Sequence, residues 1–378
     1  MNAPPLNPQL NFQQAEFNGG QLRVARHFWG MTLQDVADSI STTRQFVSQL
    51  ETGKAKPNRS DAIIQALADA VEVHPDFLFR IGRDQLNEEQ THFRKLASTK
   101  ASTRQTVLAR GTVFGQLVNF IAKRVRLPQV NIPDHSGCTT AEQIERAAEL
   151  TRAHWGLGLG PISHMIRVVE HAGIVVAFFN EASAQVDALS IASKRPVIVR
   201  NDAKRSPFRQ RFDIAHELGH LVLHEGQVTG DRKTESEANR FASAFLLPRS
   251  TFAKAFPRKG GRLDWAGIRQ LKLTFGASKA AIIYRARSLD LIDEDQYRSA
   301  VITLKNRGEA IEEAEDALVA KEVSELIPKS LDVLRNAHGI SFSDLANALL
   351  VSPDFLKQIV ARPADDAPIR KAALRIVH

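Results

Sequence analysis

In the stretch RFDIAHELGHLVLHE, residues 211–225, His216 and His220 stand four apart with Glu217 beside the first. Residues four apart on a helix lie one turn above another on the same face, so both imidazoles can reach one metal ion. A neighbouring carboxylate can take a proton from a water polarised by that ion, which is the division of labour in zinc-dependent peptide hydrolysis. The expected chemistry is hydrolysis of a peptide bond, with Zn2+ as cofactor and Glu217 as general base. The apolar residues Phe212, Ile214, Ala215, Leu218, Leu221, Val222 and Leu223 suit a buried helix. The plainer reading is such a helix with two hydrogen-bonded histidines and no metal. His224 continues the spacing of four and is expected beside the ligands or in solvent, not on the metal.

A catalytic zinc takes three protein ligands and keeps one position open, so a third ligand must come from elsewhere. The next stretch, TESEANRFASAFLLP from Thr234 to Pro248, places Ala238, Phe241, Ala242, Phe245 and Leu246 on one helical face, flanked by Glu235 and Glu237. Glu237 precedes Ala238 and stands one turn before Phe241, which makes it the preferred ligand and Glu235 the second choice. Taken together, F-D-I-A-H-E-L-G-H-L-V-L-H and E-x-E-A-N-R-F-A-x-x-F-L-L-P resemble the ImmA/IrrE metallopeptidases, with similarity running from about Ala148 to Leu291. The resemblance implies a small zincin-like domain in which His216, His220 and Glu237 bind zinc and Glu217 is the base. It also implies a protein substrate, a partner transcriptional repressor that is cut to release its genes.

Several elements must position these groups. Ser206 should cap the zinc helix, with Pro207 at its first position. Ahead of it, AEQIERAAELTRAHWGL is amphipathic, and PISHMIRVVEHAG should start a helix at Pro161 and end it at Gly173. Three strand candidates follow, GIVVAFF, VDALSIA and PVIVR. Val197 to Arg200 is expected to be the edge that binds an extended substrate through main-chain hydrogen bonds. Beyond Pro248, DWAGIRQLKLTFGASKAAIIYRARSLDLI reads as two helices around a Gly-Ala-Ser turn. Tyr284, Arg285 or Arg287 could stabilise an oxyanion, a core tyrosine and surface arginines being the plainer reading.

The segment GMTLQDVADSISTTRQFVSQLETGKAKP, residues 30–57, resembles an XRE or Cro/C1-type helix-turn-helix. Leu22, Val24, Val36, Ala37, Ile40, Val47 and Leu50 are its expected core. Thr32 and Thr43 should cap its two helices, and Gly53 should end the second. The resemblance puts the start of the second helix in the major groove of double-stranded DNA. Arg44, Gln45, Ser48 and Gln49 would then meet base edges, with the bidentate donors that guanine and adenine accept. Arg26, Thr43, Lys54 and Lys56 suit phosphate. A palindromic site would call for a homodimer; a protein-interaction bundle is the plainer alternative. Residues 339–359 (GISFSDLANALLVSPDFLKQI) align without gaps on residues 30–50, with Ser352 at the place of Thr43. Pro353 and Asp354 replace Arg44 and Gln45 there, and an aspartate would be repelled by phosphate, so this copy is expected to be structural or partner-binding.

A chain of 378 residues is long for one domain. The expected fold class is mainly α with a small α+β domain. Residues 1–17 form a flexible tail, 18–81 the helix-turn-helix bundle, and 82–137 a helical connector. Residues 138–295 are the zincin-like metallopeptidase domain, and 296–378 a C-terminal helical bundle that opens on an acidic amphipathic helix, GEAIEEAEDALVAKEVSELI. A net charge of +8 favours polyanionic partners. Arg195, Arg200, Lys204, Arg205, Arg209 and Arg211 crowd the approach to the zinc helix and could meet nucleic acid or an acidic substrate, or form a solvated face. The longest apolar run, Ile174–Phe179, is far too short to cross a membrane. With no secretory signal and a single cysteine, Cys138, the protein is expected in the cytoplasm. The composite reading is a DNA-binding regulator with a zinc endopeptidase domain. The alternative is a non-proteolytic repressor, or antitoxin-like regulator, whose metallopeptidase-like domain senses a ligand or metal.

Overall fold

Short polar side chains start most of the helices, because the first backbone N–H groups of a helix have no partner within it. The computed structural model describes residues 15–81, 91–93, 101–179, 188–191, 195–201, 206–227, 229–259 and 262–360. Contacts divide the chain into two compact units that cut across the boundaries expected from sequence. Unit 1 joins residues 1–86, 100–127 and 325–378; unit 2 comprises 87–99 and 128–324. Most of the expected tail and much of the connector between residues 82 and 100 lie outside the described residues. Among the described residues no helix is long and apolar enough to cross a membrane.

Unit 1 contains α1 (Gly19–Phe28), α2 (Leu33–Ser39), α3 (Arg44–Glu51), α4 (Ala62–Ala70), α5 (Ala101–Ala122), α14 (Leu326–His338), α15 (Phe342–Leu349) and α16 (Pro353–Lys357). Thr32 caps α2 in a reciprocal box with Asp35, and Thr43 caps α3 by accepting from the Phe46 N–H. Gly53, with φ of 72°, supplies the left-handed turn after α3. Leu22, Val36, Ala37, Val47 and Leu50 are fully buried, while Val24 and Ile40 are only partly so. Arg26 is not available to phosphate. It lies in the core, with Nε 2.5 Å from Glu51 Oε1, Nη2 3.0 Å from Oε2 and Nη1 donating to the Met31 carbonyl. Lys56 pairs with Glu16 at the surface, 2.6 Å away.

The C-terminal copy reproduces the first in its backbone as well as its pattern. Ser341 and Asp344 form the capping box of α15, and Ser352 accepts from the Phe355 N–H as Thr43 does from Phe46. Even the left-handed residue recurs, at Ser41 (φ 55°) and Leu350 (φ 60°). The copies differ in what they bury. Phe46 is half-buried, whereas Phe355 is fully buried and stacks on Phe28, ring centroids 3.6 Å apart. Val351 bridges Val73, and the Leu350 carbonyl accepts from the His74 N–H. The segment is therefore part of the N-terminal bundle's core and not a domain of its own.

Unit 2 contains β1 (Thr91–Phe93), α6 (Ala141–His154), α7 (Met165–His171), β2 (Val175–Phe179), β3 (Ala188–Ile191), β4 (Val197–Asn201), α8 (Pro207–Leu223), α9 (Arg232–Leu246), α10 (Arg249–Ala255), β5 (Arg258–Lys259), β6 (Arg262–Leu263), α11 (Trp265–Phe275), α12 (Lys279–Ser288) and α13 (Glu294–Asn306). All three expected strands form, as do the helices expected between residues 141 and 288; α7 begins at Met165, capped by His164, and not at Pro161. The sheet order is β1-β3-β4-β2, with β2 parallel to β4 and the other pairs antiparallel. β4 is thus interior, which corrects its expected place at the edge. Val176 and Ile198 of the sheet share one apolar core with Ile214, Leu218 and Val222 of α8 and with Phe241 and Phe245 of α9.

The acidic run after Gly308 is not the amphipathic helix its composition suggests. It holds only a short 3-10 turn, Ala314–Leu318, and its carboxylates pair with buried cations. Lys272, fully buried, has its Nζ 2.7 Å from Glu313 and 2.6 Å from Asp316, and Lys279 bonds Glu309. Glu322 takes Arg211 at 2.7 Å and the Ile166 N–H at 2.8 Å. This consumes much of the expected basic face: Arg211 and Arg200 are buried, Arg195 donates to the carbonyls of Pro128 and Gly173, and Arg209 donates to Ala310. Lys204 and Arg205 lie outside the described residues.

His27 gives unit 1 a pH dependence. Arg26 Nη2 is 3.2 Å from its Nε2, and a guanidinium only donates, so this ring nitrogen accepts and the imidazole is neutral. Burial, then the charges of Arg26 and Arg23, lower its pKa from 6.5 to about 4 against a partial opposing pull from Glu51. The unfolded chain binds a proton near pH 6.5 that the folded chain refuses until about pH 4, so this contribution is lost as pH falls through that window. Thermal unfolding followed across the window should show a smaller loss of stability for His27→Gln than for wild type; equal slopes would refute the assignment.

Candidate metal centre

The two longest helices of unit 2 meet where α8 has no side chain. A Cβ on Gly219 would stand 3.2 Å from the Cα and O of Ala238 and 3.2 Å from Phe241 Cδ1, so larger residues would push α9 away. This contact fixes which residues of α9 face the histidines. Glu235, Ala238, Asn239 and Ala242 recur at i, i+3, i+4 and i+7 and so share the stripe turned to α8. Glu237, one residue before Ala238, stands about 100° round the helix from it.

The geometry follows that stripe. His216, His220 and Glu235 each offer an atom, all within 4.8 Å of one another. The two Nε2 atoms are 3.1 Å apart and lie 3.4 and 3.2 Å from the Glu235 oxygens. Glu237, preferred from sequence, instead places Oε2 2.9 Å from His224 Nε2. The correction has a simple cause: the approach of α9 at Gly219 selects the residue three before Ala238, a full packing stripe, over its immediate neighbour.

The opposite edges of the imidazoles are held as a metal centre requires. His216 Nδ1 is 3.0 Å from Asn239 Oδ1, and His220 Nδ1 is 3.0 Å from His224 Nδ1. Glu237 can only accept from His224 Nε2, so His224 Nδ1 accepts in turn and His220 Nδ1 carries the proton. That leaves the Nε2 lone pairs of both histidines turned to the Glu235 carboxylate, with each ring's outer nitrogen anchored. Sequence reasoning missed Asn239, although it stands in the E-A-N of the quoted motif, four residues after Glu235. His224 takes the first of the two places expected for it, beside a ligand and not in solvent.

The charges agree with this arrangement. Burial leads in lowering the His220 pKa to about 4, so its imidazole is neutral near neutral pH. Burial works to raise the Glu235 pKa, but the facing His216 and His220 outweigh it and lower it, so the group is an ionised carboxylate near neutral pH. Two neutral imidazoles and one carboxylate, converging on a point, fit a divalent ion of the zinc class. Glu217 is fully buried on α8, its Oε2 2.9 Å from the Ser190 hydroxyl of β3. Of the proposed oxyanion donors, Arg285 is buried and forked onto Glu145, Arg287 bonds Glu294 and Asp290, and Tyr284 is the exposed one. Burial of the tyrosine and exposure of both arginines, the plainer expectation, is thus reversed for Tyr284 and Arg285.

Isothermal titration with Zn2+ should separate the two glutamates. Glu235→Gln is expected to lose affinity by more than about 100-fold, and Glu237→Gln or His224→Ala by about 10- to 100-fold, as for a group that orients a ligand. A larger loss for Glu237→Gln than for Glu235→Gln would overturn the assignment.

No curated protein matches the chain. Residues 169–287, from within α7 to near the end of α12, match the family described as the IrrE N-terminal-like domain, Peptidase_M78. The matched stretch holds His216, Glu217, His220 and Glu235 together, so over these residues the chain is similar to the ImmA/IrrE metallopeptidases.

Proposed function

We propose that this protein is a DNA-binding transcriptional regulator whose unit 2 is a zinc-dependent endopeptidase acting on a partner repressor. The observation that carries the enzymatic reading is the convergence of His216, His220 and Glu235 next to a buried carboxylate, Glu217, that the sheet itself grips through Ser190. His216, His220 and Glu235 would hold the ion, which when bound would polarise a water and the carbonyl under attack. Glu217 takes the proton from the attacking water and delivers it to the departing amine. Ser190 fixes the orientation of the Glu217 carboxylate, and burial of α8 keeps bulk water from competing for that proton.

The DNA-binding reading rests on the exposed start of α3. Thr43, Arg44, Gln45 and Lys54 are exposed and Ser48 and Gln49 half-buried, so this end of the helix offers donors for base edges and phosphate. In the second copy the equivalent end carries Pro353 and Asp354, with Phe355 and Leu356 beneath them in the core. The first copy is therefore the one assigned to DNA.

New protein N-termini compared between cells carrying wild type and Glu217→Gln, at matched expression, test the peptidase. One regulator cut only with wild type is the expected result; identical N-termini with zinc still bound would leave a sensor that cuts nothing. For DNA, genomic fragments retained by the purified protein would be titrated with Arg44→Ala and Gln49→Ala. Each is expected to weaken binding by about 1–3 kcal/mol, and unchanged affinity would refute the contact.

A further inference from the structure

β3 is the strand that reaches the centre, since its Ser190 bonds Glu217. A peptide to be cut has to lie extended beside β3, gripped by main-chain hydrogen bonds, with a carbonyl presented to the histidine pair. That place is taken by β1. It runs antiparallel to β3 with Thr91 opposite Ile191, His92 opposite Ser190 and Phe93 opposite Leu189. His92 is thereby at the level of the residue that holds the general base.

Three further observations make β1 an occupant of the site and not part of its frame. It lies outside the matched residues 169–287, which contain β2, β3 and β4. It also comes from a short run, residues 87–99, that belongs to unit 2 while the chain on both sides, to residue 86 and from residue 100, belongs to unit 1. β1 itself, Thr91–Phe93, contains neither glycine nor proline, so each of its residues can take part in the ladder.

We propose that β1 is a substrate of its own chain: the centre of unit 2 hydrolyses a peptide bond of β1 at the level of His92. The proposal rests on the endopeptidase reading above. Water adds its oxygen to the carbonyl carbon, the C–N bond breaks, Glu217 carries the proton to the new amine, and no co-reactant is needed. Tethering holds the segment at an effective concentration that a separate protein would have to match, so the cut in cis comes first. The cut severs α1–α4, with Arg44 and Gln49, from α5 and everything after it. It also clears the edge of β3 for a peptide from another chain.

The full chain, purified without metal, would be given Zn2+ at several protein concentrations and followed by intact mass. The expected result is two complementary fragments meeting within Thr91–Phe93, formed with a half-life independent of protein concentration and not formed by Glu217→Gln. A second variant, His92→Pro/Phe93→Pro, removes a ladder donor whichever of the two N–H groups faces β3, because these alternate along an antiparallel strand. It should resist self-cleavage and cut an added peptide of sequence NEEQTHFRKLAST several-fold faster than wild type does before its own cut. If the variant or wild type cuts that peptide while the wild-type chain stays whole, the proposal fails and the endopeptidase reading stands. If zinc binds and neither chain nor peptide is ever cut, the endopeptidase reading falls and this proposal with it.

Discussion

The distance between two helix backbones at Gly219 and Ala238 decides the chemistry of unit 2. Because no side chain stands between them, α9 settles close enough for Glu235 to face His216 and His220, for Asn239 to hold the far nitrogen of His216, and for Glu237 to brace His224. A methyl group at Gly219 would meet main-chain atoms as well as Phe241, and backbone cannot step aside as a flexible side chain can. The apolar packing of Phe241, Ala242 and Phe245 holds the helices together; the missing Cβ sets the register in which they meet.

Both units use buried charge as a fastening. Glu51 ties α3 to α1 through Arg26, Lys272 gathers Glu313 and Asp316, and Arg211 holds Glu322. Such pairs contribute little net stability compared with apolar packing, but removing one partner leaves a desolvated charge and is costly. They specify arrangement. The run from residue 308 to residue 324 has almost no regular structure, and its path over unit 2 is marked out by the cations it meets.

How much of this was legible in the sequence depended on the range of the interaction. Caps are local, so Thr32, Thr43, Ser206 and Ser352 could be read directly, and each caps the expected helix. The spacing of His216 and His220 is local as well. Glu235 against Glu237 was not, since both flank the same apolar face and only the angle of approach between two helices distinguishes them. Strand order was equally out of reach: β4 reads as a short apolar strand whether it is interior or at an edge, and its neighbour β3 is covered by β1, a partner about a hundred residues back along the chain. The net charge gave the right sum and the wrong place, because Arg26, Arg200 and Arg211 lie inside, where they answer carboxylates and carbonyls and not a polyanion.

The stacking of Phe28 on Phe355 sets an order for synthesis. A ribosome delivers α1–α4 first, but their ring partner arrives more than three hundred residues later, after all of unit 2 has been made. Unit 2 draws on one nearly continuous stretch and can condense while translation proceeds, as domains generally do. Unit 1 has to wait for residue 355, with the face of Phe28 that it covers open in the meantime. A nascent chain would thus complete its histidine pair and the sheet beside it before its N-terminal bundle is closed, and a chain stopped between residues 324 and 355 would hold the first without the second.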